Sequence, residues 1–201
     1  MTSHSNAYSR IAGPRQLTGR HGFSMIELLS VIVIMGLLAA IALPKSGISS
    51  YRANAGAQVV SSALSYAQRQ AISRQADTRV AFDLPNNRLR IHEDRNNDNI
   101  IDAGERLTFT NLPEGITFGR GTATARAIGG EVVTFTRAQG ILPVLVFRRD
   151  GTASEDGGVY LTTIAGLSID RTADVRAVEI ARATGRSTWF SFGTGAWKER
   201  Q

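Results

Sequence analysis

The sequence contains no cysteine, so no disulfide bond can hold any part of its fold together. Histidine is also scarce, and of the three histidines only His92 lies beyond residue 22. No glycine-rich loop opens a helix after a predicted strand, and no arrangement of serine, histidine and aspartate stands out. These absences give an enzymatic function no support. We expect a protein that acts without a catalytic site, and no cofactor is certain.

Acidic residues are absent from residues 1–22, which carry three arginines. The next residues, 23–43, form an apolar run whose single charge is Glu27. As a helix, this run is roughly 30 Å long, which matches the hydrocarbon core of a bilayer. We therefore expect one transmembrane helix over 23–43. The basic residues before it place the rest of the chain outside the cytoplasm, by the positive-inside rule.

Two features distinguish this run from an ordinary secretory signal. A carboxylate inside a membrane helix costs about 2.5–3.5 kcal/mol, so Glu27 needs a function and a partner. The candidate cleavage site, at Gly22 followed by Phe23, lies before the apolar core, whereas a secretory signal is cut after it. We therefore expect residues 1–22 to be removed as a leader on the cytoplasmic side, while the apolar helix is kept.

The segment Gly22-Phe23-Ser24-Met25-Ile26-Glu27 resembles the class III signal of type IV prepilins and type II secretion pseudopilins. The resemblance implies that a prepilin peptidase cuts after Gly22 and methylates the new amino terminus at Phe23. Glu27 then matches the family glutamate at the fifth mature position. Pro44 matches a helix-kinking proline that many members have. An ordinary signal-anchor helix is the alternative interpretation.

The same resemblance implies how such subunits assemble. Cleavage leaves a cationic amine on Phe23, and the amine of an entering subunit can pair with Glu27 of its neighbour. This pairing offsets the cost of holding a charge in apolar surroundings. The helix thus serves first as an anchor in the bacterial inner membrane and then as the core of a filament, or its tip, made with other pilins or pseudopilins.

Beyond the apolar run, the pattern predicts an amphipathic continuation of the helix over 44–75. Apolar, mostly small residues recur at every fourth position, opposite a polar face. These are Ala55, Val59, Ala63, Ala67 and Ala71. Over 76–201 the pattern changes to alternation, with turn residues between the segments. We expect a pilin-like α+β fold, in which the long helix packs on an antiparallel β-sheet domain that lies in the periplasm.

The order of these parts, together with two turn motifs, is similar to the GspH/FimT group of minor pseudopilins and minor pilins. The motifs are Phe-Arg-Arg-Asp-Gly-Thr at 147–152 and Thr-Gly-Arg at 184–186. Some relatives carry Gly-Arg-x-Arg in the last hairpin for contact with DNA. Here Arg186 is followed by Ser187 and Thr188, so the second arginine is missing. A nucleic-acid partner therefore rests on Arg186 alone.

One acidic segment has the spacing of a calcium-binding loop. In EF-hands, oxygen ligands occupy loop positions 1, 3, 5, 9 and 12, with a backbone carbonyl at position 7. The corresponding candidate ligands for Ca²⁺ are Asp94, Asn96, Asp98, Ile100, Asp102 and Glu105. The alternative is an Asx-rich hairpin turn, in which the short polar side chains bond to their own backbone.

Three functional hypotheses follow. The leading one is a minor pilin or pseudopilin, a structural subunit that is processed by prepilin peptidase and assembled through its N-terminal helix. The second is a DNA-binding minor pilin for DNA uptake. The third is a membrane-anchored periplasmic calcium-binding module that does not polymerise. Both a type IV pilus and a type II secretion system fit the sequence.

Overall fold

The computed structural model of the protein describes residues 23–42 and 46–200. The chain divides at residue 44 into two compact units, and each is described by itself below. The predicted cleavage residue Gly22 and the predicted kink residue Pro44 lie outside the described residues.

The first unit contains helix α1, Met25–Ala42. The hydroxyl of Ser24 accepts a hydrogen bond from the N–H of Ile26 (3.3 Å). The carbonyl of Ser24 accepts from the N–H groups of Glu27 (3.0 Å) and Leu28 (3.1 Å). Ser24 is therefore the N-cap residue, a position that serine favours because its side chain satisfies a free N–H group.

No helix within residues 23–42 and 46–200 is long and apolar enough to cross a membrane. Helix α1 has 18 residues, whereas a membrane-spanning helix needs about 20. The transmembrane helix predicted over 23–43 stays a prediction.

The second unit begins with helix α2, Ser46–Arg74, where the sequence predicts an amphipathic helix over 44–75. The predicted apolar stripe is shifted at its start, because Ala55 and Val59 are only partly buried. From Ala63 onward the predicted positions are buried. The residues of the buried face are small or branched: Ala53, Ala57, Val60, Ala63, Leu64, Ala67 and Ala71.

Ten strands follow α2. They are β1 (Asp77–Asp83), β2 (Arg88–Asp94), β3 (Leu107–Asn111), β4 (Ile116–Phe118), β5 (Ala138–Gln139), β6 (Leu142–Phe147), β7 (Gly157–Thr163), β8 (Arg176–Ile180), β9 (Ser187–Gly193) and β10 (Ala196–Arg200). A short helix α3, Ile164–Ser168, and a 3-10 turn, Thr172–Asp174, connect β7 to β8.

The strands form two antiparallel five-stranded sheets. The strand order is β3-β2-β1-β6-β5 in the first sheet and β10-β9-β8-β7-β4 in the second. Residues 131–136 contribute only a bridge between Val133 and Val159. This segment pairs with the first half of β7, and β4 pairs with the second half along the same edge of that strand. Only a short length of the edge is therefore left for the segment.

Helix α2 packs against both sheets, and the three layers share one core. The alanines of α2 let the helix backbone approach the strands closely, because they add little side-chain thickness. Strand residues that line this core include Val80 and Phe82 from the first sheet, and Leu161 and Val178 from the second. The predicted α+β fold, a helix packed on antiparallel sheet, is confirmed.

Two turns that contain a glycine contact the same side chain of α2. One turn follows β6 of the first sheet, and the other follows β8 of the second sheet. The Nε2 atom of Gln68 donates hydrogen bonds to the carbonyl oxygens of Gly151 (2.8 Å) and Thr184 (2.7 Å). Gly151 and Gly185 have φ values of 86° and 62°, which favour glycine. A Cβ atom on Gly185 would overlap the carbonyl oxygen of Gly151. These turns belong to the two motifs at 147–152 and 184–186, which therefore fasten both sheets to α2.

We predict that Gly185→Ala lowers the free energy of unfolding by about 2–5 kcal/mol. A left-handed backbone costs an alanine about 1–2 kcal/mol, and overpacking against fixed backbone atoms adds about 1–3 kcal/mol. Urea unfolding followed by tryptophan fluorescence measures the loss.

Gly195→Ala is the matched control. Gly195 also has a positive φ, 76°, but nothing lies within 4 Å of an added Cβ. It should show only the backbone cost of about 1–2 kcal/mol. Equal losses for the two variants would show that the contact between the two turns contributes nothing.

Candidate assembly site

The apolar side chains of α1 described from Met25 to Leu38 are exposed. Phe23, just before the helix, is 81% exposed, and Met25 is 91% exposed. The other exposed apolar residues of the helix are Ile26, Leu28, Leu29, Val31, Ile32, Val33, Ile34, Met35, Leu37 and Leu38. A continuous apolar surface of this kind marks contact with lipid or with another protein chain.

Glu27 is the charged residue of this surface and lies in the first turn of α1. Negative charge is favoured there, because the free N–H groups of the first turn carry partial positive charge. Within residues 23–42 and 46–200, the exposed carboxylate of Glu27 has no hydrogen-bond or ion-pair partner. The hydroxyl of Ser30 bonds to the backbone carbonyl of Glu27 (2.8 Å), not to its side chain. The carboxylate is thus available to a cation from another molecule.

The acidic loop predicted to bind calcium lies between β2 and β3. Across the described part of the chain, no group of three or more His, Cys, Asp and Glu side chains is placed to hold a metal ion. Asp94 at the start of the loop is paired with Arg79. Glu105 at its end bonds to the Nε2 atom of His92 (2.6 Å). The geometry therefore gives the calcium prediction no support.

The other candidate ligands bond to one another or to the loop backbone. The Nδ2 atom of Asn96 donates to the carboxylates of Asp98 (2.8 Å) and Asp102 (2.9 Å). Asp98 also accepts a hydrogen bond from the N–H of Ile100 (2.7 Å). These contacts are those of an Asx-rich turn. In this arrangement the side-chain oxygen atoms of the loop accept hydrogen bonds that close it, and calcium binding stays a prediction.

Glu105 joins the two ends of this loop. Besides His92, its carboxylate accepts hydrogen bonds from the N–H groups of Arg95 (2.8 Å) and Asp102 (3.2 Å). Burial by itself raises the pKa of Glu105, but the hydrogen bond from His92 and the two from backbone N–H groups outweigh it and lower the pKa to about 2. The other ring nitrogen of His92 lies 3.0 Å from Nε2 of Gln139, which donates to it. His92 is therefore the donor to Glu105.

We predict that Glu105 makes the protein less stable in acid. Its pKa is lowered from 4.5 to about 2 by folding, so the ionised carboxylate stabilises the fold above pH 4.5. This contribution is lost as the pH falls from 4.5 to 2. Glu105→Gln should be less stable than the native protein at pH 7, and its unfolding free energy should depend less on pH between 4.5 and 2.

Glu131→Gln, at an exposed position, is the control and should follow the native protein over the same pH range. Urea unfolding at a series of pH values makes the comparison. If Glu105→Gln kept the native pH dependence, Glu105 would not be the group responsible.

Arg186, the residue predicted to contact nucleic acid, is exposed in the turn before β9. It borders a cavity of about 420 Å³ together with Arg200, Glu199 and Trp189. The two arginines share this cavity with a carboxylate, which reduces its positive charge. Contact with nucleic acid at Arg186 stays a prediction.

Three residues have a structural role that was not predicted from the sequence: Ser24, Gln68 and His92. The pattern Ser24-x-x-Glu27 is a known signature of a helix start and identifies the cap. Gln68 and His92 carry no comparable signal, because their partners are distant in the sequence.

Two family models match the chain. The prokaryotic N-terminal methylation motif matches residues 17–43, which include Gly22, Phe23, Glu27 and all of α1. This motif, followed by a helix packed on antiparallel sheet, defines the pilin-like class. The model of the type II transport protein GspH matches residues 56–185, from α2 to the turn at Gly185. The chain belongs to the GspH family. No curated protein and no solved structure matches it significantly.

Proposed function

We propose that the protein is a minor pseudopilin of a type II secretion system, processed by prepilin peptidase and added to the pseudopilus, or to its priming tip, through α1. The observation that carries this proposal is the apolar surface of α1, with the free carboxylate of Glu27 in its first turn. Exposed apolar surface costs about 25 cal/mol per Å² in water. Such a surface must therefore be covered, by lipid before assembly and by the helices of other subunits after it.

Processing prepares the partner of Glu27. Cleavage after Gly22 frees the α-amine of Phe23, and methylation of an amine leaves its positive charge in place. The match of residues 17–43 to the methylation motif supports this step. The mature chain then begins with a cation, one residue before the Ser24 cap.

Assembly uses that cation. The methylated amine of an entering subunit pairs with Glu27 of its neighbour inside an apolar environment. There, an unpaired charge is strongly unfavourable. The pair therefore sets the axial register between neighbouring helices. Before assembly, the inner membrane covers the same apolar surface, and the second unit lies in the periplasm. A minor pilin of a type IV pilus uses the same chemistry, but the GspH match favours secretion.

We predict that Glu27→Gln abolishes incorporation into the pseudopilus. Removing one partner of a buried ion pair costs about 3–5 kcal/mol, which is two to three orders of magnitude in affinity. Co-purification of the protein with sheared filaments, in cells that express the complete secretion system, measures incorporation.

Glu131→Gln is again the matched control, because it removes an exposed carboxylate from the second unit. Because Glu27 is exposed in α1 and the described core residues begin at Ala53, Glu27→Gln should unfold at the same urea concentration as the native protein. Incorporation of Glu27→Gln at the native level would contradict the proposed role of this residue.

Processing makes a separate prediction. Mass spectrometry of the protein from cells with prepilin peptidase should find a chain that begins at methylated Phe23. Gly22→Glu should keep its leader, because a bulky charged side chain replaces the smallest residue at the cut. Mature native chains that begin at another residue would contradict the cleavage site.

A further inference from the structure

A cavity of about 800 Å³ lies beside the first turns of α2. Its wall is formed by Ile48, Ser49 and Arg52 from α2, by Ile164 from α3, and by Arg171 from the loop after α3, together with Glu114, Gly115, Thr163 and Ala165. The cavity thus combines an apolar part with two guanidinium groups and one carboxylate. The sequence analysis assigns no function to this part of the fold.

The two arginines differ in how they are held. The Nη1 atom of Arg171 donates to the hydroxyl of Ser49 (3.1 Å) and lies 4.0 Å from the carboxylate of Asp174. Arg52 is exposed and has no hydrogen-bond or ion-pair partner within residues 23–42 and 46–200. Glu114, which precedes Gly115 in the wall of the cavity, is exposed. One guanidinium is therefore fixed and the other is free to bind an anion from outside.

The wall behind Arg171 is rigid. Asp174 is fully buried, and its carboxylate accepts hydrogen bonds from the hydroxyls of Ser49 (2.9 Å) and Thr163 (2.7 Å). Thr163 in turn caps α3 by accepting from the N–H of Gly166 (2.8 Å). The neighbouring Arg176 is also buried and donates to Asn54 (2.7 Å). These contacts fix α3 and the start of α2 to each other, so the cavity has a defined shape.

Exposed apolar residues surround the cavity. Ile48 is 60% exposed and Ile164 is 53% exposed. Tyr51 in the first turns of α2, Leu167 in α3 and Ile169 just after α3 are exposed as well. Isoleucine and leucine beside tyrosine and arginine is the composition of protein surfaces at the membrane–water interface.

The position of the cavity in the sequence indicates its occupant. Helix α2 begins four residues after α1 ends, so Ile48 and Arg52 follow the apolar segment directly. If residues 23–43 occupy the bilayer, as the proposed function requires, the next two turns emerge among the lipid headgroups. Arginine forms bidentate hydrogen bonds with phosphate, and anionic leaflets attract basic residues near the surface.

We propose that this cavity binds the headgroup of an anionic phospholipid in the membrane that anchors the chain. Arg52 and Arg171 contact the phosphate, and Ile48 and Ile164 contact the first carbons of the acyl chains. This inference rests on the proposed membrane-anchored function. Its consequence is that the second unit lies against the bilayer in a fixed orientation until the subunit is extracted into the pseudopilus.

The test uses the full chain in lipid nanodiscs. Because the protein has no cysteine, a single Ile164→Cys substitution places one fluorophore at the cavity. Spin-labelled lipids that quench this fluorophore measure how much of the protein is docked on the bilayer. We expect strong quenching in nanodiscs with about one third anionic phosphatidylglycerol and weak quenching in pure phosphatidylcholine. Arg52→Glu should reduce the docked-to-free ratio about fivefold or more, and Arg52→Lys should retain most of it.

The controls lie at the other end of α2. Ala183→Cys places the fluorophore beside Thr184, which bonds to Gln68, about 28 Å along the helix from Ser49, and it should not be quenched. Arg69→Glu makes the same charge change on an exposed arginine of α2, about 26 Å from Arg52, and should leave docking unchanged.

The outcomes separate this inference from the proposed function. A chain that enters nanodiscs but shows no quenching at position 164 overturns the inference alone. Equal quenching in both lipids also overturns it, because the arginines then recognise no headgroup. A chain that fails to enter nanodiscs contradicts the membrane-anchored function and the inference together.

Discussion

The second unit depends on the burial of one face of α2 between two sheets. Residues of both sheets and the alanine face of the helix belong to one core. Ala57, Ala67 and Ala71 keep the helix thin enough for strands on both sides to reach the same core. Without disulfides, this packing and the polar contacts of Gln68, Asp174 and Arg176 hold the layers together.

Much of the fold could be predicted from the sequence, because periodicity reports burial. The alanine repeat of α2 reports its buried face, whereas β1, β6, β7 and β8 are buried along most of their length and are recognised as short apolar segments between turn residues. Strand β10 could not be found this way. Three of its five residues are charged, and its pairing depends on β9 across the Thr194-Gly195 turn. Helix α3 has only five residues, which is too short to show a helical repeat of apolar residues. The sequence therefore does not reveal that Thr163 is an N-cap.

The candidate site, too, has residues that could be predicted from the sequence and contacts that could not. Glu27 and Phe23 could be predicted because one charge in an apolar run is informative without any structure. The acidic loop shows the opposite case. Its spacing suits a metal, but the spacing does not reveal that Arg79, from the neighbouring strand, pairs with Asp94, or that His92 bonds to Glu105. The described residues of the buried core begin at Ala53, within α2.

The loop between β2 and β3 has a base that is fixed to the sheet and a tip that is exposed. Asp94 and Glu105 close the base of the loop through Arg79 and His92, two residues that belong to the sheet. The tip is solvent-facing, and Ile100 is 60% exposed there. The tip can therefore vary in length and sequence while the register between the two strands stays set. An epitope or a fluorescent tag can therefore be inserted at this tip without disturbing the packing of α2 against the sheets.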